Sequence, residues 1–241
     1  MDKEKLLAIL KRSGEDPIAF TKYVLNFPYK LTSGQRQILE AVYDPRFETE
    51  VVEIVVGRKG TKSTIATIIE LFEVYRVLRM PEPHWKYNLL PGQNIYCLNF
   101  APTAGQAIGI TVNYAVALTL NSWWFRKYLL NYNVKRQTVM PYDELRFPKQ
   151  VKLKAMSSSS KSGRGWAVKV ALLDESAWFQ STGGNQSGGQ IVAAVRPNLK
   201  PFKGDGKLIL ISTPAGKDGM FWETFDDVVQ PGRVVEEGKS Q

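Results

Sequence analysis

The sequence predicts an α/β domain with a mostly parallel sheet flanked by helices. Four short β-branched or aliphatic runs recur along the chain, and each is followed by a polar motif and a helix-like segment. Strands that alternate with helices need crossover connections, which favour parallel pairing. No repeat is visible, and 241 residues suffice for one large domain or two small ones.

Local signals predict the individual elements in chain order. An amphipathic pattern predicts a helix over 2–12, and Asp16 before Pro17 predicts the N-cap of a second helix. Thr32 or Ser33 is expected to cap a third helix. Later helices are predicted at 62–80, 103–120 and 190–195, core strands at 51–56, 94–100, 168–173 and 207–211, and two or three short strands within 133–154.

Composition excludes several classes of protein. Cys97 is the only cysteine and His84 the only histidine, so neither an intrachain disulfide nor a Cys/His zinc site can form. Cysteine usage favours a reducing compartment, and Cys97 is predicted to be a small buried hydrophobe. No run of about 18 apolar residues is present, so no membrane span is expected.

The positive charge is concentrated in one segment. The net charge is +9, and residues 126–169 hold eleven Lys or Arg against two acids, Asp143 and Glu144, which accounts for the whole excess. A concentrated basic segment with nearby aromatic residues is typical of a polyanion-binding surface. The alternative is a solvated face whose counter-charges lie elsewhere in the fold, and composition does not decide between the two.

The first motif with chemical content lies between the first core strand and the next helix. Glycines let backbone N–H groups turn toward phosphates, a lysine reaches the β and γ oxygens, and the next hydroxyl ligates Mg²⁺. Thr61 stands where the pattern G-x-x-x-x-G-K-[ST] has its second glycine. An ordinary Gly/Lys turn is the alternative. The motif reads Gly57-Arg58-Lys59-Gly60-Thr61-Lys62-Ser63-Thr64.

The second motif is a pair of carboxylates, Asp174 and Glu175, that follows the apolar run 168–173. In Mg²⁺-dependent NTP hydrolysis, the first carboxylate would orient the hydrated metal beside the Ser63 hydroxyl. The second can polarise the attacking water as a general base. Taken alone, the pair could be an acidic helix cap. Together with the phosphate-binding motif, it predicts an NTPase.

With these motifs in this order, the chain resembles the ATPase domain of terminase large subunits, the DNA-packaging motors of tailed phages. In that family an arginine lies four residues before the phosphate-loop lysine, as Arg58 lies before Lys62. The resemblance covers about residues 27–216. One further motif is the adenine-side glutamine, for which Gln35 is the candidate and Gln37 the alternative. The others are Ala101-Pro102-Thr103, Ser162-Gly163-Arg164-Gly165 and Ser212-Thr213-Pro214.

The resemblance implies roles for these residues. Glu175 would activate water, Arg164 would act as an arginine finger toward a neighbouring subunit, and Mg²⁺ would lie on Ser63 and Asp174. Arg58 would steady the phosphates. The nucleotide-binding set would be Gln35, Gly57, Arg58, Lys59, Gly60, Thr61, Lys62, Ser63 and Thr64, and the coupling pair Ser212 and Thr213.

Three of these assignments keep alternatives from the residues alone. Gln35 could be an exposed helix residue instead of the adenine contact. Arg164 could be a loop arginine that binds DNA phosphate. Ser212 and Thr213 could simply cap the next turn.

The resemblance also implies fold, activity and partners. It implies a RecA-like, additional-strand P-loop NTPase core with an N-terminal helical lid segment, using ATP and Mg²⁺ to translocate viral double-stranded DNA into a procapsid. The partners would be double-stranded DNA, the portal protein and the small terminase subunit. Copies of the chain would form a ring, expected to be a pentamer, at the portal vertex in the host cytoplasm, and the isolated chain would be a monomer.

The expected organisation has three parts. Residues 1–50 would be a helical segment with the adenine-binding motif, 51–216 the ATPase core, and 217–241 a tail toward an absent nuclease domain. No nuclease activity is therefore expected. The competing functions are a helicase-like DNA translocase outside packaging, and a nucleic-acid-binding protein with a degenerate nucleotide site.

Overall fold

The computed structural model describes residues 2–46, 50–57, 62–158, 165–179, 188–216 and 219–229. Short π-helical and 3-10 segments continue several helices. The helices are α1 (Lys3–Arg12), α2 (Pro17–Ala19), α3 (Ser33–Val42), α4 (Lys62–Arg79), α5 (Pro83–Lys86), α6 (Ala104–Gln106), α7 (Asn113–Asn121), α8 (Gly188–Val195) and α9 (Gly219–Val229). The strands are β1 (Val51–Val55), β2 (Ile95–Ala101), β3 (Tyr132–Asn133), β4 (Thr138–Val139), β5 (Glu144–Arg146), β6 (Val151–Ser157), β7 (Ala167–Asp174) and β8 (Lys207–Ser212).

Six strands form one sheet in the order β1-β8-β7-β2-β6-β5, and β3 pairs with β4 in a separate hairpin. Strands β1, β8, β7, β2 and β6 run parallel to one another, and the edge strand β5 is antiparallel to β6. The predicted fold class is confirmed, and all four predicted core strands are present. Strand β8 lies between β1, which precedes the phosphate-binding motif, and the acidic strand β7. This is the additional strand that the resemblance implies.

The second and third predicted helices begin at their expected caps. Asp16 Oδ1 accepts hydrogen bonds from the backbone N–H groups of Ile18 and Ala19, at 2.8 and 3.0 Å. After Ala19 the helix continues as a π-helical turn, Phe20–Val24. Thr32, rather than Ser33, is the N-cap of α3. Each cap satisfies N–H groups that have no partner within the helix.

Helix α4 is the central helix of one face of the sheet. Every residue from Ile65 to Leu78 except Arg76 is buried, because the sheet, α3 and α7 surround it. A helix that is apolar on nearly all sides is typical of such a buried position. The opposite face packs against α8, the 3-10 segment Arg196–Phe202 and α9.

A buried ion network lies at the far end of α4, near the amino ends of β7 and β8. The fully buried Lys169 Nζ lies 2.9 Å from Glu73 Oε2 and 3.2 Å from Asp205 Oδ2. Arg76 binds the same two carboxylates, at 3.0 and 2.7 Å. Burial opposes ionisation of Asp205, but Lys169 and Arg76 outweigh it and lower its pKa to about 2. The network therefore carries ionised carboxylates at neutral pH.

Within the described ranges, no helix is both long enough and apolar enough to cross a membrane.

Candidate functional site

A cleft of about 610 Å³ opens at the carboxyl edge of the parallel strands. Ligands of open α/β sheets bind at this edge, because the loops that follow neighbouring strands converge there. The lining combines the start of α4, the loop after β2 and the ends of β7 and β8. Its residues are Lys62, Pro102, Thr103, Gln106, Glu175, Trp178 and Thr213.

Lys62 and Glu175 form an ion pair inside this cleft, with 3.3 Å between Nζ and Oε1. Glu175 has φ 56° and ψ 39°, the left-handed conformation, which is uncommon for a residue with a side chain. This conformation turns the chain from β7 into the next segment. On the other side, Ser212 Oγ donates a hydrogen bond to Glu175 Oε2 at 3.4 Å. Glu175 is therefore held between Lys62 and the end of β8.

Asp174 lies directly before Glu175 and is buried. Burial, then the charge of Glu175, raises the pKa of Asp174 to about 6, while Lys62 and a hydrogen bond from the Ser63 side chain oppose this shift. Within the described part of the chain, Asp174 Oδ1 has no hydrogen-bond partner. A buried, unsatisfied carboxylate oxygen beside a hydroxyl suits a hydrated divalent cation.

Among the residues described, no cluster of three or more His, Cys, Asp or Glu could hold a metal ion. Asp174 and Ser63 together offer two oxygen donors at one place. Mg²⁺ commonly takes one or two protein oxygens and completes its shell with water and phosphate oxygens.

The structure brings together part of the predicted site and leaves another part undescribed. Lys62, Ser63, Asp174, Glu175 and the Ser212–Thr213 pair meet at one edge of the sheet. Gly57 follows β1, and Thr64 lies in the first turn of α4. Arg58, Lys59, Gly60, Thr61 and Arg164 lie outside the described residues.

Gln35 is buried, so its interpretation as an exposed helix residue is wrong. Its side-chain Oε1 accepts a hydrogen bond from the Thr32 N–H at 2.9 Å, while Thr32 Oγ1 accepts one from the Gln35 N–H at 3.3 Å. This capping box fixes the start of α3. The adenine contact of Gln35 stays a prediction, as does that of the exposed Gln37.

Glu70 and Asn99 were missed by sequence reasoning. Both are fully buried, on α4 and β2 respectively. Burial, with a smaller contribution from the charge of Asp174, raises the pKa of Glu70 to about 8 although Asn99 opposes the shift. The sequence does contain a signal for Glu70, because a glutamate inside the apolar stretch Ile68–Phe72 indicates a buried carboxyl group.

Part of the described charge in the basic segment is engaged inside the fold. Arg146, Lys152 and Lys154 lie within 2.5–3.8 Å of the two acids of that segment, Asp143 and Glu144. Lys149 donates hydrogen bonds to the backbone carbonyls of Leu78 and Met80, and Lys169 belongs to the buried ion network. Among these described ion pairs, only those of the buried Lys169 reach acids outside the segment, Glu73 and Asp205.

Four basic residues of the segment remain exposed and, within the described ranges, have no acidic partner within ion-pair distance. Two lie on the turn before the β3–β4 hairpin and two at the tip of that hairpin. They are Arg126, Lys127, Lys135 and Arg136. We call them the hairpin cations.

Comparison with known proteins gives a family and a fold. A family model described as "Uncharacterized protein MJ0330, N-terminal P-loop domain" matches residues 7–238. The crystal structure of the HK97 bacteriophage large terminase is similar with a TM-score of 0.65 and 22% identity, over 92% of this chain and 42% of that one. The chain thus spans less than half the length of that terminase.

The large terminase ATPase domain of Thermus phage P74-26 is similar in two crystal structures, one of them a point mutant. Each has a TM-score of 0.54 and 20% identity, over 86% of this chain and 72% of that one. The search of curated proteins found no match. The fold implied by the resemblance to terminase ATPase domains is therefore confirmed.

Proposed function

This chain belongs to the family of the MJ0330 N-terminal P-loop domain, and we propose that it is an Mg²⁺-dependent ATPase that translocates viral double-stranded DNA into a procapsid. The observation that carries the ATPase proposal is the meeting of Lys62, Asp174 and Glu175 at the carboxyl edge of the sheet. The DNA-packaging part is supported by the fold shared with phage large terminases.

The Lys62–Glu175 ion pair suggests how ATP activates its own hydrolysis. The γ-phosphate competes for Lys62, because it carries more negative charge than one carboxylate. Glu175 then loses its partner and can accept a proton from water. The water oxygen forms a bond to the γ-phosphorus while the bond to the bridging oxygen of ADP breaks, and ADP leaves with that electron pair.

Ser63 and Asp174 would hold Mg²⁺, the first through its hydroxyl and the second through water. When bound, the cation would supply positive charge that offsets the negative charge of the phosphates. The buried Asp174 Oδ1 and the adjacent Ser63 side chain support this assignment.

Coupling of hydrolysis to movement is proposed to pass through β8. Ser212, the last residue of β8, is fully buried and donates to Glu175. Thr213 lines the same cleft. A change at Glu175 on hydrolysis therefore acts directly on the end of β8, which supports a coupling role for Ser212 and Thr213 over simple turn capping.

Arg164 is proposed to act on the ATP of a neighbouring copy. Gly165, the next residue, precedes β7 at the amino edge of the sheet, where its N–H donates to Asn198 Oδ1 at 3.2 Å. The eight residues of β7 separate that edge from Glu175, a span of roughly 25 Å at about 3.3 Å per residue. This separation between Gly165 and Glu175 supports the proposal of action between subunits.

The remaining partners belong to the same proposal. The portal protein, the small terminase subunit, a pentameric ring and a location at the portal vertex in the host cytoplasm rest on the terminase resemblance. A helicase-like translocase outside packaging shares the ATPase site and differs in these partners. A binding protein with a degenerate nucleotide site differs in having no turnover.

ATP turnover measured over a range of protein concentrations tests the proposed function. We expect Mg²⁺-dependent phosphate release whose rate per subunit rises with concentration and on addition of double-stranded DNA, because a neighbour completes the site. The variant R164A keeps Glu175, and the variant E175Q keeps Arg164. When the two are mixed, Arg164 of an E175Q copy can complete the site of an R164A neighbour, so the mixture should recover activity that neither variant has alone. No hydrolysis at high protein concentration would favour the degenerate-site alternative, and a rate per subunit unchanged by dilution would contradict the trans arginine.

The hairpin cations are proposed to bind DNA phosphates. Loss of Lys135 and Arg136 together should lower the slope of log affinity against log salt by about 1.8, since each lost phosphate contact removes about 0.9. Fluorescence anisotropy with a duplex at several salt concentrations measures this slope. The matched control K3A/K5A removes two exposed lysines of α1 and should leave the slope unchanged. Equal slopes for both double variants would refute the assignment.

A further inference from the structure

Gln106 lines the nucleotide cleft together with Lys62 and Glu175, although no sequence motif singled it out. It is the last residue of α6, which follows β2 and leads into the π-helical segment Ala107–Val112. The Gln106 side chain is exposed. Its chemistry is a carbonyl oxygen that accepts hydrogen bonds and an amide nitrogen that donates two.

Sheet register places the Gln106 loop beside the catalytic carboxylates. Phe100 of β2 pairs with Leu173 of β7, so the residues after β2 emerge next to Asp174 and Glu175. The loop is held in place from the other side, because Ser158 Oγ donates to the Pro102 carbonyl at 3.1 Å. The segment is therefore positioned by the two strands that flank β2.

One end of the Gln106 side-chain amide is already hydrogen-bonded within the protein, to Thr103. The Gln106 Oε1 accepts from Thr103 Oγ1 at 3.1 Å, and Thr103 Oγ1 accepts from the Gln106 backbone N–H at 3.2 Å. The carbonyl end is thus committed to the cap of α6. The side-chain N–H groups remain as donors within a cleft that also holds a lysine and a glutamate.

The cleft needs donors at the place where negative charge develops. During phosphoryl transfer, charge is spread over the γ-phosphoryl oxygens and the leaving oxygen, and preorganised N–H donors stabilise it. Lys62 is one donor of the lining. Among the described lining residues other than Gln106, the remaining polar side-chain groups are the hydroxyls of Thr103 and Thr213, the indole N–H of the exposed Trp178 and the Glu175 carboxylate, which repels phosphate. Thr103 is already engaged with Gln106.

We propose that Gln106 is a catalytic residue whose side-chain N–H groups donate to the γ-phosphoryl group of ATP. This inference rests on the proposed ATPase function of the same cleft. Thr103 acts as a positioning residue, since its hydroxyl holds the Oε1 end of Gln106 and directs the amide nitrogen to the ligand. ADP lacks the γ-phosphoryl group, so it gains nothing from this contact.

The variant Q106E separates this role from helix capping. Glutamate keeps a side-chain oxygen that can accept from Thr103 Oγ1, as Gln106 Oε1 does, but at neutral pH it has no donor and adds a negative charge. We expect the kcat for ATP to fall by about 10- to 100-fold in Q106E and in Q106A. The thermal midpoint of Q106E should equal that of the parent chain, while the ADP affinity of Q106A should change less than about twofold.

ATP turnover by the parent chain distinguishes a failure of the Gln106 assignment from a failure of the proposed ATPase function. If the parent hydrolyses ATP and Q106E retains its kcat, Gln106 is a capping residue only and this inference is wrong. If Q106A weakens ADP and ATP equally with an unchanged kcat, the contact is not to the γ-phosphoryl group. If the parent chain has no turnover under any condition, the proposed function itself fails.

Discussion

Replacing Glu175 by glutamine is expected to lower ATP turnover by about 100- to 10,000-fold while ATP binding persists. Glutamine keeps the size of the side chain and can still hydrogen-bond to Ser212, but it cannot accept the proton of the attacking water. It also removes the carboxylate that lies 3.3 Å from Lys62 Nζ. Lys62 is then free for phosphate, so the affinity for ATP should rise or stay constant.

Single-turnover phosphate release and equilibrium binding of an ATP analogue measure these two effects separately. The matched control is E40Q, since Glu40 is an exposed residue of α3 and its loss should leave both quantities unchanged. Undiminished hydrolysis by E175Q would exclude Glu175 as the base. Loss of binding together with turnover would instead indicate that Glu175 positions Lys62 in the resting site.

Replacing Lys169 by methionine is expected to destabilise the fold by about 3–5 kcal/mol. The fully buried Lys169 ammonium lies between the carboxylates of Glu73 and Asp205. Methionine fills a similar volume but leaves the charge of the buried Glu73 only partly compensated, by Arg76. Breaking one partner of a buried ion network is costly for this reason.

Urea unfolding followed by circular dichroism measures the loss. The control K200M changes an exposed lysine of the neighbouring 3-10 segment and should alter the free energy of unfolding by less than about 0.5 kcal/mol. The double variant K169M/E73Q should be more stable than K169M, because it removes the uncompensated charge together with its former partner. Equal stability of K169M and the parent chain would contradict a structural role for the network.

Sequence reasoning located the strands and one edge of the sheet because those signals are local. The run Val51–Val56 and the apolar stretch before Asp174 each specify a buried strand by their own side chains. Parallel pairing then places Lys62, Asp174 and Ser212 at one edge without further information. The core of the candidate site was therefore predictable from the chain.

The ion pairs were not predictable, because their partners are distant in sequence. Arg76 and Asp205 are 129 residues apart, and nothing near Lys169 in the chain indicates Glu73. The same limit applied to the basic segment, whose lysines face acids and carbonyls that only the fold brings near them. Gln106 was missed because its function depends on the cleft it enters rather than on its neighbours in the sequence.

The place of β8 has a mechanical consequence. Ladder hydrogen bonds to β1 on one side and to β7 on the other prevent β8 from moving sideways. If a change at Glu175 is relayed to Ser212, as proposed, it would pass next to Thr213 and Pro214, and Pro214 lines one pocket with Phe221 and Trp222 of α9. The paired strands would then serve as the fixed frame against which the segment after β8 moves.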